Sequence, residues 1–599
     1  MLNALKTRPL LAATTSAASL LAGFAIILPL VGQGPLNRDI APANPPVATA
    51  MPAKPEAKPT DALSDMQTTA EARAAPKAVP EPAPMPELAR KIAAPASDAL
   101  PDAKRAIAQT GILSDQSTNA MATAAPVQEL MLQPSENTES FANAPANPVR
   151  VTAEEPVSTF SIDVDTAAYS TIRSSLNAGV LPDPAAVRIE EMINYFPYDY
   201  PKPQAGQAFR PTITVMPTPW NPNTRLVNIA IQGAVPQVVD RPPLNLVFLI
   251  DTSGSMNEPN KLPLLKQSLG LMLGQLHAGD QVALVAYAGS AGLVLPPTKA
   301  TDTARIVAAL DNLAAGGATA GADGLALAYQ TAESMAGDGE VSRVLLATDG
   351  DFNVGIDNPE DLKTLIAQKR KTGVYLSVLG FGRGNLDDAT MQALAQNGNG
   401  TASYIDTLNE ARKVLVDQLS GALYPIADNV KIQVEWNPAQ VAEYRLIGYE
   451  TRALRREDFN NDKIDAGDIG AGAAVTAIYE VTAPGSAALL NDPLRYGKAP
   501  SPGDSPELGY LRLRAVAPGA TDSSLQETPI LPGMPVTNDT RFAAAIAGFG
   551  QLLTGATYLG SWNWDQAIEL ALAARGTDDF GYRIEAVNLM RTAKMLSEN

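Results

Sequence analysis

The stretch "LNLVFLIDTSGSM", residues 244–256, runs as an unbroken apolar segment. It then places an acid, a threonine, two serines and a glycine in five positions. Leu246, Val247, Phe248, Leu249 and Ile250 suit a strand buried on both faces, as in parallel sheets covered by helices. The oxygens that follow outnumber what a helix N-terminus needs. The spacing D-x-S-x-S puts the Asp251 carboxylate and the Ser253 and Ser255 hydroxyls on one tight turn, and Gly254 permits the bend. Oxygen donors without sulfur or imidazole suit a hard cation with octahedral demands, namely Mg2+ or Mn2+.

Outward from this stretch, residues 244–422 alternate apolar runs with longer amphipathic ones. "QVALVAYAG", "VSRVLLATDG", "GVYLSVLGFG" and "ASYIDT" read as strands, while "LPLLKQSLGLMLGQL" and "PEDLKTLIAQKRKTG" read as helices. The pattern predicts an α/β fold, a doubly wound and mostly parallel sheet whose ligands bind beyond the carboxyl ends of its strands. Two more oxygen donors are expected at such ends: Thr319 in "GGATAGADG" and Asp349 in "LLATDGD". Few carboxylates and several neutral hydroxyls leave an ion electron-poor, and a partner's carboxylate fills the vacancy well.

"DTSGSM", Thr319 in "GGATAG" and Asp349 in "ATDG" resemble the metal-ion-dependent adhesion site of von Willebrand factor type A domains. The resemblance implies that Ser253, Ser255 and Thr319 contact the metal directly or nearly so. It implies that Asp251 and Asp349 act through water or by hydrogen bonding. Residues 151–599 as a whole look like a bacterial family that pairs this domain with its own flanks, on "FSIDVDTAAYS", "RIEEMINYFPYDYP", "PAQVAEYRLIGYE" and "FAAAIAGFGQLL".

At 599 residues the chain is too long for one core. Residues 1–32 carry Lys6 and Arg8 before an apolar stretch, and read as a signal peptide or membrane anchor. Residues 33–150 are Ala- and Pro-rich with few aromatics, the composition of a disordered linker. Residues 151–243 form an N-terminal flanking domain and residues 423–537 a β domain with alternating strands such as "NVKIQVEWNP" and "GYLRLRAV". Residues 538–599 are helical. The strands expected at 209–234 have no evident sheet of their own. They are expected to join those of 428–516, which would make the metal-site domain an insertion into a β-sandwich.

Composition narrows the chemistry. With 45 Lys+Arg against 63 Asp+Glu the net charge is −18, which argues against nucleic acid as a partner. No Cys and a single His, His277, exclude thiolate and multi-His metal sites. Three other motifs have bland readings. Asp163 and Asp165 in "FSIDVD" lack the phosphatase signature and fit a helix cap. "DFNNDKIDAGDI", 458–469, lacks the Gly of a calcium loop at its sixth position and fits a solvated turn. His277 fits a helix C-terminus or the open surface.

The expected function is therefore an exported, membrane-tethered binding protein of the periplasm or cell envelope, engaging a protein partner's carboxylate through the metal. The alternative is a metal-dependent hydrolase or phosphatase using the same cluster. It is disfavoured because the strand ends offer no His or Lys as general acid or base. Removing Asp349 is expected to relieve like-charge crowding with Asp251.

Overall fold

The structure, a computed structural model, describes residues 139–141, 144–162, 165–235, 241–317, 321–350, 359–384, 386–418, 424–464, 466–492, 494–496 and 505–598. The expected signal or anchor segment and most of the expected linker lie outside the described residues. The linker's last residues do not, which corrects its boundary. Glu139 pairs with Arg383 at 2.7 Å, and the Asn147 side chain donates to the Gly448 carbonyl at 2.7 Å. An ion pair and main-chain bonds hold this stretch, and neither leaves an apolar period to read.

In chain order the first elements are β1 (Arg150–Val151), β2 (Val157–Ser161), α1 (Ala167–Asn177), α2 (Ile189–Asn194), β3 (Phe209–Thr218) and β4 (Asn221–Gly233). The α/β domain follows with β5 (Leu244–Asp251), α3 (Leu262–Leu273), β6 (Gln281–Tyr287), β7 (Ala291–Lys299), α4 (Thr303–Asp311) and α5 (Gly321–Met335). It continues with β8 (Val341–Thr348), α6 (Pro359–Arg370), β9 (Val374–Phe381), α7 (Asp388–Asn397), β10 (Ala402–Ile405) and α8 (Leu408–Arg412). The chain then forms β11 (Pro425–Trp436), β12 (Glu443–Ile447), β13 (Ile469–Gly470), β14 (Ala474–Thr482), β15 (Gly509–Val516) and β16 (Ser523–Ile530). Helices Asn538–Leu553, Trp564–Ala574 and Tyr582–Ser597 close it.

The α/β domain has strand order β10-β9-β8-β5-β6-β7, parallel except for β7. All eight residues of β5 are buried, as a strand covered on both faces requires. β7 is an edge strand, and its Pro296 and Pro297 are tolerated there because an edge strand can lack N–H donors.

The flanks form one body. One sheet has the order β1-β12-β14-β4-β3, and the other is β13-β11-β15-β16 with β2 added on β11. β4 pairs antiparallel with β14, Val227 opposite Tyr479, so the early and late strands share a sheet and the α/β domain is inserted between them. Phe160, Trp436, Tyr444 and Tyr479 fill the space between the sheets, with the Trp436 and Tyr479 rings 5.1 Å apart. The other face of the first sheet, through Leu226, Ile447 and Ile478, packs against α1, α2 and the three C-terminal helices.

Buried ion pairs join the inserted domain to the flanks. Arg173 on α1 reaches Asp406 and Glu410 at 2.9 Å each, and Glu585 at 3.3 Å. Arg188 binds Asp388 at 2.7 Å and also holds Glu191. Asp165 does not cap α1: the N-cap position is Thr166, and no side chain caps the helix there. It accepts instead from the Ala402 amide at 2.8 Å and from Arg452 at 2.9 Å, because a buried carboxylate needs a cation more than a cap needs a carboxylate. Asp163 lies outside the described residues. In the acidic turn, Asp458 is held by Arg455, and Asp462 by Arg514 and Ser523. His277 is exposed in the turn after α3.

Candidate metal centre

β5 and β8 are sheet neighbours from which the chain winds outward in opposite directions, so the crevice at their carboxyl ends is the topological switch point. Asp251 ends β5 and Asp349 directly follows β8, and both are fully buried. Asp251 accepts from the Ser253 amide at 2.8 Å, which folds the turn back on the strand. Met256, buried in the domain core, anchors that turn from below. The Ser253 and Ser255 hydroxyl oxygens then stand 3.0 Å apart, Ser253 buried and Ser255 exposed.

The loop toward Thr319 is tied to the same turn. Gly316 donates to the Thr252 carbonyl at 2.8 Å, and Gly254 donates to the Gly317 carbonyl at 3.2 Å. Gly317 has φ +100°, and a Cβ there would lie 3.2 Å from the Gly289 nitrogen, so glycine is required. Thr319 itself lies outside the described residues.

Lys261 is a member of the site that the sequence reading misses. It stands just before α3, almost fully buried, with its ammonium 3.1 Å from Asp349 Oδ2. Its methylenes run against Gly382, where a Cβ would come within 2.3 Å of Lys261 Cε. The strand ends therefore do carry a lysine, and Asp349 is compensated by it. The expected relief on removing Asp349 is corrected accordingly: the dominant partner of that carboxylate is a cation. Its other oxygen, Oδ1, is buried without a hydrogen-bond partner among the described residues.

Burial pushes the Asp251 carboxyl up to about 6; the Ser253 amide opposes the shift and the Asp349 charge adds to it. A folded-state value above the unfolded one gives stability that is present below the unfolded value and lost as pH rises through the folded one. In chelator, Asp251→Asn should therefore gain on the parent by about 1–3 kcal/mol between pH 4 and pH 8. Urea unfolding at the two pH values checks this, and a difference that does not move with pH refutes it.

The donor set fits a hard dication. Among the described residues no three His, Cys, Asp or Glu side chains are grouped to hold a metal, so hydroxyls must supply part of any coordination here. Ser253 and Ser255 are placed to do so, and the unpartnered Asp349 Oδ1 offers an anionic oxygen.

Comparison with known proteins agrees with this geometry at the level of the fold. Residues 245–418 match the von Willebrand factor type A domain, residues 135–228 a family described as von Willebrand factor, and residues 421–596 the C-terminal domain of the uncharacterized protein YfbK. The uncharacterized protein YfbK of Escherichia coli K12 is 44% identical over 458 residues, covering 75% of this chain and 80% of that one. Uncharacterized protein sll0103 of Synechocystis is 32% identical over 188 residues, 31% of this chain and 43% of its own. A solved von Willebrand factor type A structure from Catenulispora acidiphila covers 65% of this chain and 91% of its own, at 17% identity and TM-score 0.37. Matched over four fifths of that Escherichia coli relative, with the insertion and both flanks in place, the chain belongs to the YfbK family of von Willebrand factor type A domain proteins.

Proposed function

We propose that this protein is a binding module of the cell envelope that captures a protein partner by completing the coordination of a divalent ion with the partner's carboxylate. Mg2+ or Mn2+ is the ion, held by Ser253, Ser255 and Thr319, with Asp251 and Asp349 supporting it through water or hydrogen bonds. The observation that carries this reading is the buried Asp349 Oδ1 at the switch point, without a hydrogen-bond partner among the described residues and next to a hydroxyl pair that opens to solvent at Ser255. When bound, the ion supplies a Lewis-acidic position for an anionic oxygen. The chain's own part is to fix the donors: Asp251 shapes the turn, Lys261 holds one oxygen of Asp349, and Met256 keeps the serines in place. With residues 1–32 read as a signal peptide or membrane anchor, the protein is exported and its site faces away from the cytoplasm.

Binding is favoured over hydrolysis because the basic side chain at the site is paired to Asp349, while Asp323 is exposed on α5. Calorimetry on the full chain in detergent is expected to give saturable Mn2+ binding that Ser253→Ala with Ser255→Ala abolishes. Capture of envelope proteins or carboxylate peptides should vanish with chelator while the melting curve keeps its shape. Unchanged Mn2+ binding by the double variant defeats the site assignment. Robust turnover of phosphate or ester substrates in Mn2+, lost in Asp251→Ala, would establish the hydrolase instead.

A further inference from the structure

A second polar cavity, of about 290 Å3, opens where the α/β domain meets the sandwich. Its walls are the turn from α7 to β10 on one side and residues 451–454 and 466–470 on the other, with Arg343 from β8 among its lining. Arg343 is the third residue of the strand whose far end leads into Asp349, about 20 Å of strand away. The two sites are therefore at opposite ends of the sheet.

Arg343 differs from the other buried arginines. Arg173, Arg188, Arg445, Arg452 and Arg583 each hold a carboxylate in direct contact. Arg343, only 2% exposed, holds none among the described residues. It donates to the Ser377 hydroxyl at 2.7 Å and stacks on Tyr375, and its Nε is buried with no partner among the described residues. A buried charge in that condition is costly unless something neutralises it. Burial pushes its guanidinium down to about 10, a shift that Tyr375 and, less, the more distant Asp468 only partly offset.

The remaining lining suggests what the neutralising group is. Asn399 accepts from Arg370 through its oxygen at 2.8 Å, which leaves its NH2 as a donor. Thr401 and Thr451 bring hydroxyls, and Asp468 brings one carboxylate. A carboxylate beside an anion site repels a fully ionised guest but accepts a hydrogen bond from a guest that keeps a proton. From this cavity we infer a binding site for a protonated oxyanion, phosphate or a small phosphate monoester. Arg343 and Asn399 contact the anionic oxygens and Asp468 accepts from the P–OH. The volume suits a ligand at the small end of the usual range. Because the ligand would touch both the inserted domain and the sandwich, occupancy stiffens the joint between them.

The test is calorimetry and thermal melting of the full chain in EDTA, which keeps the metal centre out of the reading, at constant ionic strength against chloride. Inorganic phosphate, glycerol 3-phosphate and sulfate are the probes, and comparing the first two separates free phosphate from a monoester. Saturable phosphate or monoester binding is expected, at least about tenfold tighter than sulfate and weakened about tenfold or more by Arg343→Met. Asp468→Asn keeps an acceptor for the Asn429 amide, so it should fold, and it should abolish the preference over sulfate. The inference is overturned by no saturable binding of either phosphate probe, by equal affinity for sulfate in the parent protein, or by a preference that survives Asp468→Asn.

Discussion

Replacing Asp349 by alanine is expected to destabilise the metal-free protein by about 3–5 kcal/mol, because it leaves the Lys261 ammonium buried without its partner. Glu258 stands 3.8 Å from the same ammonium but is largely exposed and cannot substitute. Lys261→Met alone should cost a similar amount, since it abandons Asp349 beside Asp251. Lys261→Met combined with Asp349→Leu should recover most of the loss, as paired removal of a buried ion pair commonly does. Urea unfolding in EDTA measures all three. If Asp349→Ala is as stable as the parent, the ion pair does not hold the loop, and like-charge relief is the larger effect after all.

Arg173→Met should cost at least as much, about 3–5 kcal/mol, since one guanidinium serves Asp406, Glu410 and Glu585 across three parts of the chain. The loss should also depend on pH with a defined sign. Burial already raises the Asp406 and Glu585 carboxyls and Arg173 pulls both down, so its removal raises them further. Carboxyls raised in the fold stabilise it below their unfolded values, and that stability is lost as pH rises through the folded ones. The penalty of Arg173→Met should therefore be smaller near about pH 4 than at about pH 8. A penalty that stays constant over that span shows that the network's worth is packing, with little from charge.

The parts of this molecule that were legible in its sequence share one property: their cause lies within a few residues. Leu246 to Ile250 announce a doubly covered strand, and Asp251, Ser253 and Ser255 announce a cluster, because each pattern is local. The long-range joining of β4 to β14 could be expected only because the early strands lacked a sheet. Lys261 was missed because a lysine in "NEPNK" looks solvated. A usable signal was there: a cation at a helix N-terminus opposes the dipole, so it should prompt a search for a buried anion. The ties of Arg173 to Asp406 and of Arg188 to Asp388 left no such trace, since those partners lie 233 and 200 residues away.

The insertion imposes a schedule on synthesis. Thr159 on β2 meets Gln433 on β11 across 274 residues, so β1 to β4 emerge long before the strands that complete their sheets. At the usual pace of translation the wait is on the order of 10–60 s. The inserted domain needs none of those later strands for its own sheet, and it can close during that interval. Its closing brings residues 244 and 418 to the same body and shortens the effective loop that the sandwich must still seal. Until then the edges of β2 and β4 are open to other chains. Substitutions that slow the inserted domain should therefore appear first as aggregation of the nascent flanks, even where the finished protein is as stable as before.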